Sequence, residues 1–151
     1  MPQLGDFFSD ELREQIAMHQ LKIGSVLRLH DERTTPPKIK LWVIIGLERD
    51  NVLLAYLYIN STINPTIFSS PALKDLHLKL EATGRDYLEH DSFVDCSRMN
   101  EADVELIKTR MTHDVRIHLG ELSTTDLEDV VEKVKNARTI PRNVKRKYGL
   151  L

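Results

Sequence analysis

The feature that most restricts the fold of this chain is the five-residue run from Leu41 to Ile45, which is apolar at every position. Val43, Ile44 and Ile45 are β-branched, and such residues favour strands because their side chains pack well on a pleated surface. Successive side chains of a strand point to opposite faces, so a strand without a polar position has to be buried on both faces. The run therefore predicts the central strand of a sheet that is covered on both sides.

Other segments with the character of strands lie on either side of this run, and turns rather than helices separate them. Asp50 and Asn51 form the predicted turn between the central run and a second apolar strand. A parallel sheet would need helical crossovers between its strands, and the middle of the chain has none. The pattern therefore predicts an α+β fold whose mostly antiparallel sheet curls into a small barrel. The remaining predicted strands cover residues 25–30, 52–59, 76–80, 92–96 and 115–119.

Helix signals lie towards the two ends of the chain. Ser9 is the predicted cap of a first helix, and Asn100 with Asp103 is a capping pair for a second. Thr125 and Glu128 form a capping box in front of an amphipathic stripe. With 151 residues, the chain has the usual size of one domain. We expect a helical extension over residues 1–23, a barrel domain over residues 24–140 and a basic tail over residues 141–151.

Charge is divided unevenly along the chain. The residues up to Glu132 include 14 basic and 23 acidic side chains, a formal charge of −9, whereas the later residues include seven basic and no acidic side chains. A basic end of this kind is solvated, binds phosphate or folds back on the acidic body. The charge pattern alone leaves these three alternatives open.

The composition excludes several classes of protein. Cys96 is the single cysteine, which rules out disulfide scaffolds and cysteine-built zinc sites and favours a reducing cytoplasm. No apolar run approaches the roughly 20 residues that cross a bilayer, and the acidic N-terminus is unlike a secretory signal. We therefore expect a cytoplasmic protein that has no membrane partner.

The sequence marks no site for a metal or a cofactor. The adjacent side chains of Glu89, His90 and Asp91 diverge in a helix and in a strand, so this triplet is typical of a solvated turn. The six glycines are scattered, and no glycine-rich loop is present to bind the phosphates of ATP or NAD. We expect a site that works without metal and without cofactor.

Basic, hydroxyl and acidic residues follow the ends of the predicted strands. Lys38 and Lys40 stand where a polar loop leads into the central strand. If the strand ends converge, such groups supply cations for a phosphate, donors for a developing oxyanion and a titratable imidazole. The candidates at the other strand ends are His30, Arg33, Ser61, Thr62, Asp95 and Arg98.

Several short motifs resemble the MazF/PemK (Kid) family of toxins from toxin–antitoxin systems. One is the strand that starts at Gly24, followed by a loop and by the hydrophobic strand that Lys40 introduces. The segment from Asp91 to Asp95 resembles the family's Asp-Ser-hydrophobic-hydrophobic strand, and residues 119–127 resemble its approach to the last helix. The similarity extends over residues 24–137.

The resemblance implies a small SH3-like barrel that forms a homodimer, binds single-stranded RNA and is neutralised by a cognate antitoxin. It also implies endoribonuclease activity without a metal, in which the ribose 2′-OH attacks the adjacent phosphate. By position, Lys40 corresponds to the family's loop-end arginine, Ser61 or Thr62 to its hydroxyl residue and Arg98 to its later basic residue. Lys40 or Arg98 would then stabilise the pentacoordinate phosphate, and Ser61 would donate a hydrogen bond to it.

The same resemblance suggests the remaining roles. Asp95 or His30 would carry the proton, and Lys38, Arg33 and Thr62 would bind the RNA. In place of the family's Arg-Pro dipeptide this chain has a lysine followed by leucine, and lysine does not bind phosphate bidentately as arginine does. Two alternatives are a non-catalytic barrel of the same lineage that binds nucleic acid or a protein, and an unrelated α+β interaction domain.

Overall fold

The computed structural model describes residues 9–31 and 38–151. In these ranges no helix combines the length and the apolar character that a membrane span requires. The described residues form, in chain order, α1 (Asp10–Gln20), β1 (Ser25–Asp31), β2 (Lys38–Leu47), β3 (Leu53–Asn60), α2 (Pro71–Lys74), β4 (His77–Leu80), β5 (Ser92–Asp95), β6 (Asn100–Asp103), α3 (Val104–His113), β7 (His118–Glu121), α4 (Thr124–Asn136) and α5 (Arg142–Lys147).

The strands form one antiparallel sheet that curls into a half-barrel, so the predicted α+β class is confirmed. Its order is β4-β5-β3-β2-β1-β7, and β6 pairs with the part of β3 that β5 leaves unpaired. Ile59 at the end of β3 lies opposite Val94 of β5, whereas Leu54 near its start lies opposite Ala102 of β6. The ends of β2, β3 and β5 are thereby brought to one region of the sheet.

Burial of the central strand follows the alternation of its side chains. Val43 and Ile45 pack in a cluster with Val130 of α4. Trp42 and Ile44 point to the other face and pack in a second cluster, which also contains buried residues of α1 and α3. The prediction of a strand buried on both faces is therefore confirmed, because helices cover the sheet on both sides.

Several local predictions are also settled by the structure. The predicted hairpin turn is confirmed, and Asn51 has the positive φ of 54° that such a turn requires. The second predicted capping pair is wrong, because Asn100–Asp103 form β6 and the helix starts only at Val104. Asp103 caps it by accepting a hydrogen bond from the Leu106 amide at 3.0 Å. The cap of α4 is Ser123 rather than the predicted Thr125.

Residues 141–151 pack against the rest of the chain. Arg142–Lys147 form α5, and Tyr148 and Leu150 are buried in the core. Lys145 donates from Nζ to the carbonyl oxygens of Lys135 at 2.9 Å and Ala137 at 2.6 Å. These are carbonyls at the C-terminal end of α4, which attract a cation.

Two glutamates of the acidic body bind a second basic side chain of this segment, that of Lys147. Lys147 lies 2.8 Å from a carboxylate oxygen of Glu101 and 3.6 Å from one of Glu48. The Tyr148 hydroxyl also donates to Glu101, at 2.5 Å. Of the three alternatives for the basic end, the structure therefore has it folded back on the acidic body.

Candidate functional site

A cleft of about 1210 Å³ lies where β2 begins and β3 and β5 end, and we call it the main cleft. Antiparallel pairing explains its position, because Leu41 near the start of β2 lies opposite Ile59 at the end of β3. The end of β3 in turn lies beside β5. The main cleft is lined by six of the predicted site residues, namely Lys38, Lys40, Ser61, Thr62, Asp95 and Arg98.

Two predicted residues are not part of this group. His30 lines a different cavity, next to the C-terminal half of α3, and its carbonyl oxygen accepts a hydrogen bond from Arg110 Nη1 at 3.3 Å. This contact holds that end of β1 against α3 and away from the main cleft. Arg33 lies outside the described residues.

Lys40 is held in the main cleft by polar and aromatic neighbours. Its Nζ atom donates a hydrogen bond to Oδ1 of Asn60 and lies 5.0 Å from the centre of the Tyr58 ring. Burial lowers the pKa of Lys40, and the nearby charge of Lys38 lowers it further, while Asp31 and Asp95 oppose the shift. The ammonium is thus partly desolvated, which strengthens its attraction for an anion that replaces the missing water.

A hydrogen bond to a buried carboxylate fixes the position of the Tyr58 ring beneath Lys40. Its hydroxyl donates a hydrogen bond to Oδ2 of Asp31, which is only 3% exposed. Burial and this hydrogen bond raise the pKa of Tyr58 well above its usual range, so the phenol stays protonated. The arrangement fixes the ring plane on which the Lys40 side chain rests.

Asp95 is held from one side of its carboxylate. Oδ1 accepts hydrogen bonds from the Ser97 amide at 3.0 Å and from the Ser97 hydroxyl. The same oxygen lies 3.6 Å from Nε2 of His77. Oδ2 has no hydrogen-bond partner within residues 9–31 and 38–151. One carboxylate oxygen is therefore fixed, and the other is available to a substrate.

His77 is the functional candidate that sequence reasoning missed. The alternation of leucines in residues 76–80 predicts that His77 faces away from them into solvent, but its side chain is 1% exposed. It is buried because its ring packs edge-on against Phe68, with 4.2 Å between ring centres, and Nδ1 lies 3.2 Å from the Leu73 carbonyl oxygen. The pairing of β4 with β5 places His77 directly opposite Asp95, a signal that only the strand register carries.

Arg98 and Ser61 complete the polar lining of the main cleft. Both are exposed, and neither side chain has a hydrogen bond or ion pair within the described part of the chain. Their donors are therefore available to an incoming anion. Together with Lys40 they provide two cations and a hydroxyl group in one cavity.

The loop between β4 and β5 also lines the main cleft. Tyr87 of this loop is one of the lining residues, and its hydroxyl is buried without a partner among the described residues. Asp86 and Glu89 line the cleft as well, so its lining contains acidic as well as basic side chains.

Comparison with known proteins adds no assignment to this geometry. Within residues 9–31 and 38–151, no three His, Cys, Asp or Glu side chains are grouped as ligands for a metal ion. The chain matches no protein-family model, and no curated protein matches its sequence.

Proposed function

We propose that the protein is an endoribonuclease that cleaves single-stranded RNA without a metal ion, by attack of the ribose 2′-OH on the adjacent phosphate. One observation carries the proposal, namely that Lys40, Ser61, Asp95 and Arg98 come from separate strand ends and line the same cleft. Two cations, a hydroxyl donor and a carboxylate are the groups that phosphodiester transesterification needs.

Each group has a definite part in the reaction. Asp95 Oδ2 accepts the proton of the 2′-OH while the 2′ oxygen forms its bond to phosphorus. Lys40 and Arg98 stabilise the negative charge of the pentacoordinate phosphate, and the Ser61 hydroxyl donates a hydrogen bond to a phosphoryl oxygen. The bond from phosphorus to the 5′ oxygen then breaks, and the ammonium of Lys40 protonates that oxygen. The products are a 2′,3′-cyclic phosphate and a 5′-hydroxyl end.

The pKa of Lys40 supports its part as proton donor. A lysine with an ordinary pKa near 10.5 is a poor acid at neutral pH, whereas burial in the main cleft lowers this value. Its hydrogen bond to Asn60 holds the ammonium among the residues that line the cleft. His77, whose Nε2 lies 3.6 Å from Oδ1 of Asp95, is a positioning residue that confines the carboxylate on the Oδ1 side.

This proposal includes the biological setting that the resemblance implies. The curled antiparallel sheet would be an SH3-like barrel of the MazF/PemK type, and the protein would be the cytoplasmic toxin of a toxin–antitoxin pair. It would act as a homodimer, with a cognate antitoxin as its protein partner. Growth arrest on expression, relieved by co-expression of a neighbouring reading frame, would support this setting.

The decisive experiment uses the purified full chain and a long unstructured RNA in EDTA. We expect discrete fragments that carry 2′,3′-cyclic phosphate and 5′-hydroxyl ends, detected by end-specific labelling. A DNA strand of the same base sequence is the matched control and stays intact, because it lacks the 2′-OH. If the RNA stays intact but binds to the protein in a salt-sensitive manner, the proposed nuclease activity would be overturned and the non-catalytic barrel supported.

A further inference from the structure

A second cavity of about 550 Å³ lies between β1 and the C-terminal half of α3, and we call it the α3 cavity. Five of its ten lining residues are arginine or histidine, and Asp114 is its single acidic residue. The apolar part of the wall comes from strand residues such as Leu29 and Ile39. The five basic residues are Arg28, His30, Arg110, His113 and Arg116.

The cationic character of the α3 cavity is not neutralised from within. Asp114 is occupied by Arg116, whose Nε lies 3.0 Å from Oδ1 and whose Nη2 lies 3.2 Å from Oδ2. Arg28 is also close enough to help lower the pKa of Asp114, although Arg116 is the main cause. The cavity therefore contains three guanidinium groups and one carboxylate. The cavity keeps a positive charge even with both histidines neutral.

Unused hydrogen-bond donors point to a ligand rather than to an internal network. The side chains of Arg28, His30 and His113 have no hydrogen bond or ion pair within the part of the chain that the structure describes. Arg110 uses Nη1 for the His30 carbonyl, and its other donors have no partner there. The surrounding body carries a formal charge of −9 up to Glu132, so this local excess of cations is distinctive.

The α3 cavity continues directly from the main cleft. Arg28 and Ile39 line both cavities. An RNA strand that leaves the main cleft can therefore cross Ile39 without losing contact with the protein. Ile39 is 54% exposed, and an apolar side chain at this place offers a surface for an unstacked base. Arginine matches phosphate geometry through paired N–H donors.

We propose that the α3 cavity binds a backbone phosphate of the single-stranded RNA that occupies the main cleft, on a nucleotide next to the cleaved bond. This inference rests on the proposed function and extends it, because it assigns a second phosphate site to the same substrate. Arg110 and Arg28 contact the phosphate, and His113 lies at the rim. The protein therefore contacts more of the RNA than the two nucleotides that flank the cut.

The test compares two doubly substituted proteins that lose the same charge. R110A/R116A removes two cations from the α3 cavity, and R142A/R146A removes two exposed arginines from α5. Urea unfolding checks that both variants remain folded. Fluorescence anisotropy then measures their affinity for a 3-nucleotide and a 10-nucleotide RNA, each with a 2′-deoxy residue at the cleavage position so that neither is cut.

We expect R110A/R116A to bind the 10-nucleotide RNA roughly tenfold more weakly or worse, while its affinity for the 3-nucleotide RNA stays unchanged. The salt dependence of binding of the longer RNA should fall by about 0.7 in log–log slope, since about 0.7 is lost per phosphate contact on a single strand and the cavity binds one phosphate. Equal losses in R110A/R116A and R142A/R146A would overturn the inference, because the effect would then be general electrostatic attraction. H113E, which adds a negative charge at an exposed position, should weaken binding of the longer RNA in the same direction.

Failure of this inference is distinguishable from failure of the enzyme. RNA that the wild-type protein cuts and that R110A/R116A binds and cuts equally well would overturn the α3 site alone. RNA that binds through the α3 cavity but is never cut would overturn the nuclease and keep the site. Inorganic tripolyphosphate is the third probe, and binding of it as tightly as the 10-nucleotide RNA would assign the cavity to a small phosphorylated ligand instead.

Discussion

Nε2 of His77 lies 3.6 Å from Oδ1 of Asp95, while Nδ1 of the same ring lies 3.2 Å from the carbonyl oxygen of Leu73. A carbonyl oxygen only accepts hydrogen bonds, so Nδ1 carries a proton and Nε2 is the nitrogen that faces the carboxylate. Both side chains are nearly withdrawn from water, at 1% and 11% exposure, so any electrostatic interaction between them is weakly screened. The ring of His77 is therefore a close, buried neighbour of Asp95 on the Oδ1 side of the carboxylate.

The first prediction concerns this pair. His77→Asn keeps a donor near the position of Nδ1 for the Leu73 carbonyl but removes the nitrogen that faces Asp95. We expect RNA cleavage to slow by at least about tenfold and the acid limb of its pH–rate profile to move, because the carboxylate that takes up the proton loses its buried neighbour at Oδ1. Binding of uncleavable RNA should be unchanged. His19→Asn, at an exposed position of α1, is the control, and an unaltered pH profile in His77→Asn would contradict the assigned role.

A second prediction concerns the two cations of the main cleft, and it separates their part in catalysis from their effect on stability. Lys40→Ala and Arg98→Ala should each reduce RNA cleavage by about 100-fold or more, since one charge on the developing phosphorane is lost. Folding of Lys40→Ala should not suffer. Burial lowers the pKa of Lys40, so the charged side chain opposes folding at neutral pH and its removal leaves the free energy of unfolding unchanged or higher. Lys79→Ala, an exposed lysine of β4, should cut like the wild type; full activity in both test variants removes this site assignment.

A third prediction concerns the ion pair that joins the loop between β4 and β5 to α4. Arg85 donates to Asp126 from Nε at 2.8 Å and from Nη2 at 2.9 Å, and Asp126 is buried at the start of α4. Asp126→Asn should lower the free energy of unfolding by about 2 kcal/mol in urea titrations near pH 7. Asp129→Asn, exposed on the same helix, should change it little.

The difference in the free energy of unfolding between Asp126→Asn and the wild type should disappear at low pH. The Arg85 hydrogen bonds are the main cause of a pKa of Asp126 below its ordinary 3.8. The folded protein therefore binds this proton less readily than the unfolded chain. The stabilisation is present above pH 4 and disappears as the pH falls through the lowered pKa. A difference that persists undiminished at pH 2 would argue against the ion pair as its source.

The fourth prediction tests how the C-terminal segment is docked. A Cβ atom on Gly46 would lie 2.8 Å from Cβ of Tyr148 and 2.9 Å from two atoms of its ring, which is too close for any side chain. Gly46→Ala should therefore cost about 1–3 kcal/mol of stability. In a Tyr148→Ala background the same substitution should cost much less, because its clash partner is absent. Additive losses in the double variant would show that Tyr148 does not rest on Gly46.

A fifth prediction concerns the response of stability to mild acid. Burial is the main cause that lowers the pKa of His118 below its usual 6.5, and Nε2 is buried without a partner among the described residues. The unfolded chain thus takes up this proton at a higher pH than the folded protein. The free energy of unfolding should fall as the pH drops below about 6.5, and His118→Phe should lessen the fall between pH 7 and pH 5. An identical pH dependence in His118→Phe and wild type would rule out His118 as the source.

Local patterns predicted most of the elements but not all of their limits. The alternation around Leu41–Ile45 and the turn at Asn51 are properties of neighbouring residues, and they hold in the structure. β6 was missed because Asn100–Asp103 is short and polar, and it is a strand only because the free part of the β3 edge pairs with it. The burial of His77 escapes the local pattern for a related reason, since a four-residue strand has too few positions for alternation to settle its faces.

Periodicity and local turn chemistry are enough to predict the fold class, the doubly buried central strand and the residue types at the strand ends, because each depends on neighbouring residues alone. Which of those residues meet depends on long-range packing. Pairing of β2, β3 and β5 joined Lys40, Ser61, Asp95 and Arg98 in one cleft, while the contact with α3 took His30 to another. The register of β4 against β5 added His77, and packing of α5 turned a basic end into part of the core. Contacts of this kind join residues far apart in the chain, and no local pattern encodes them.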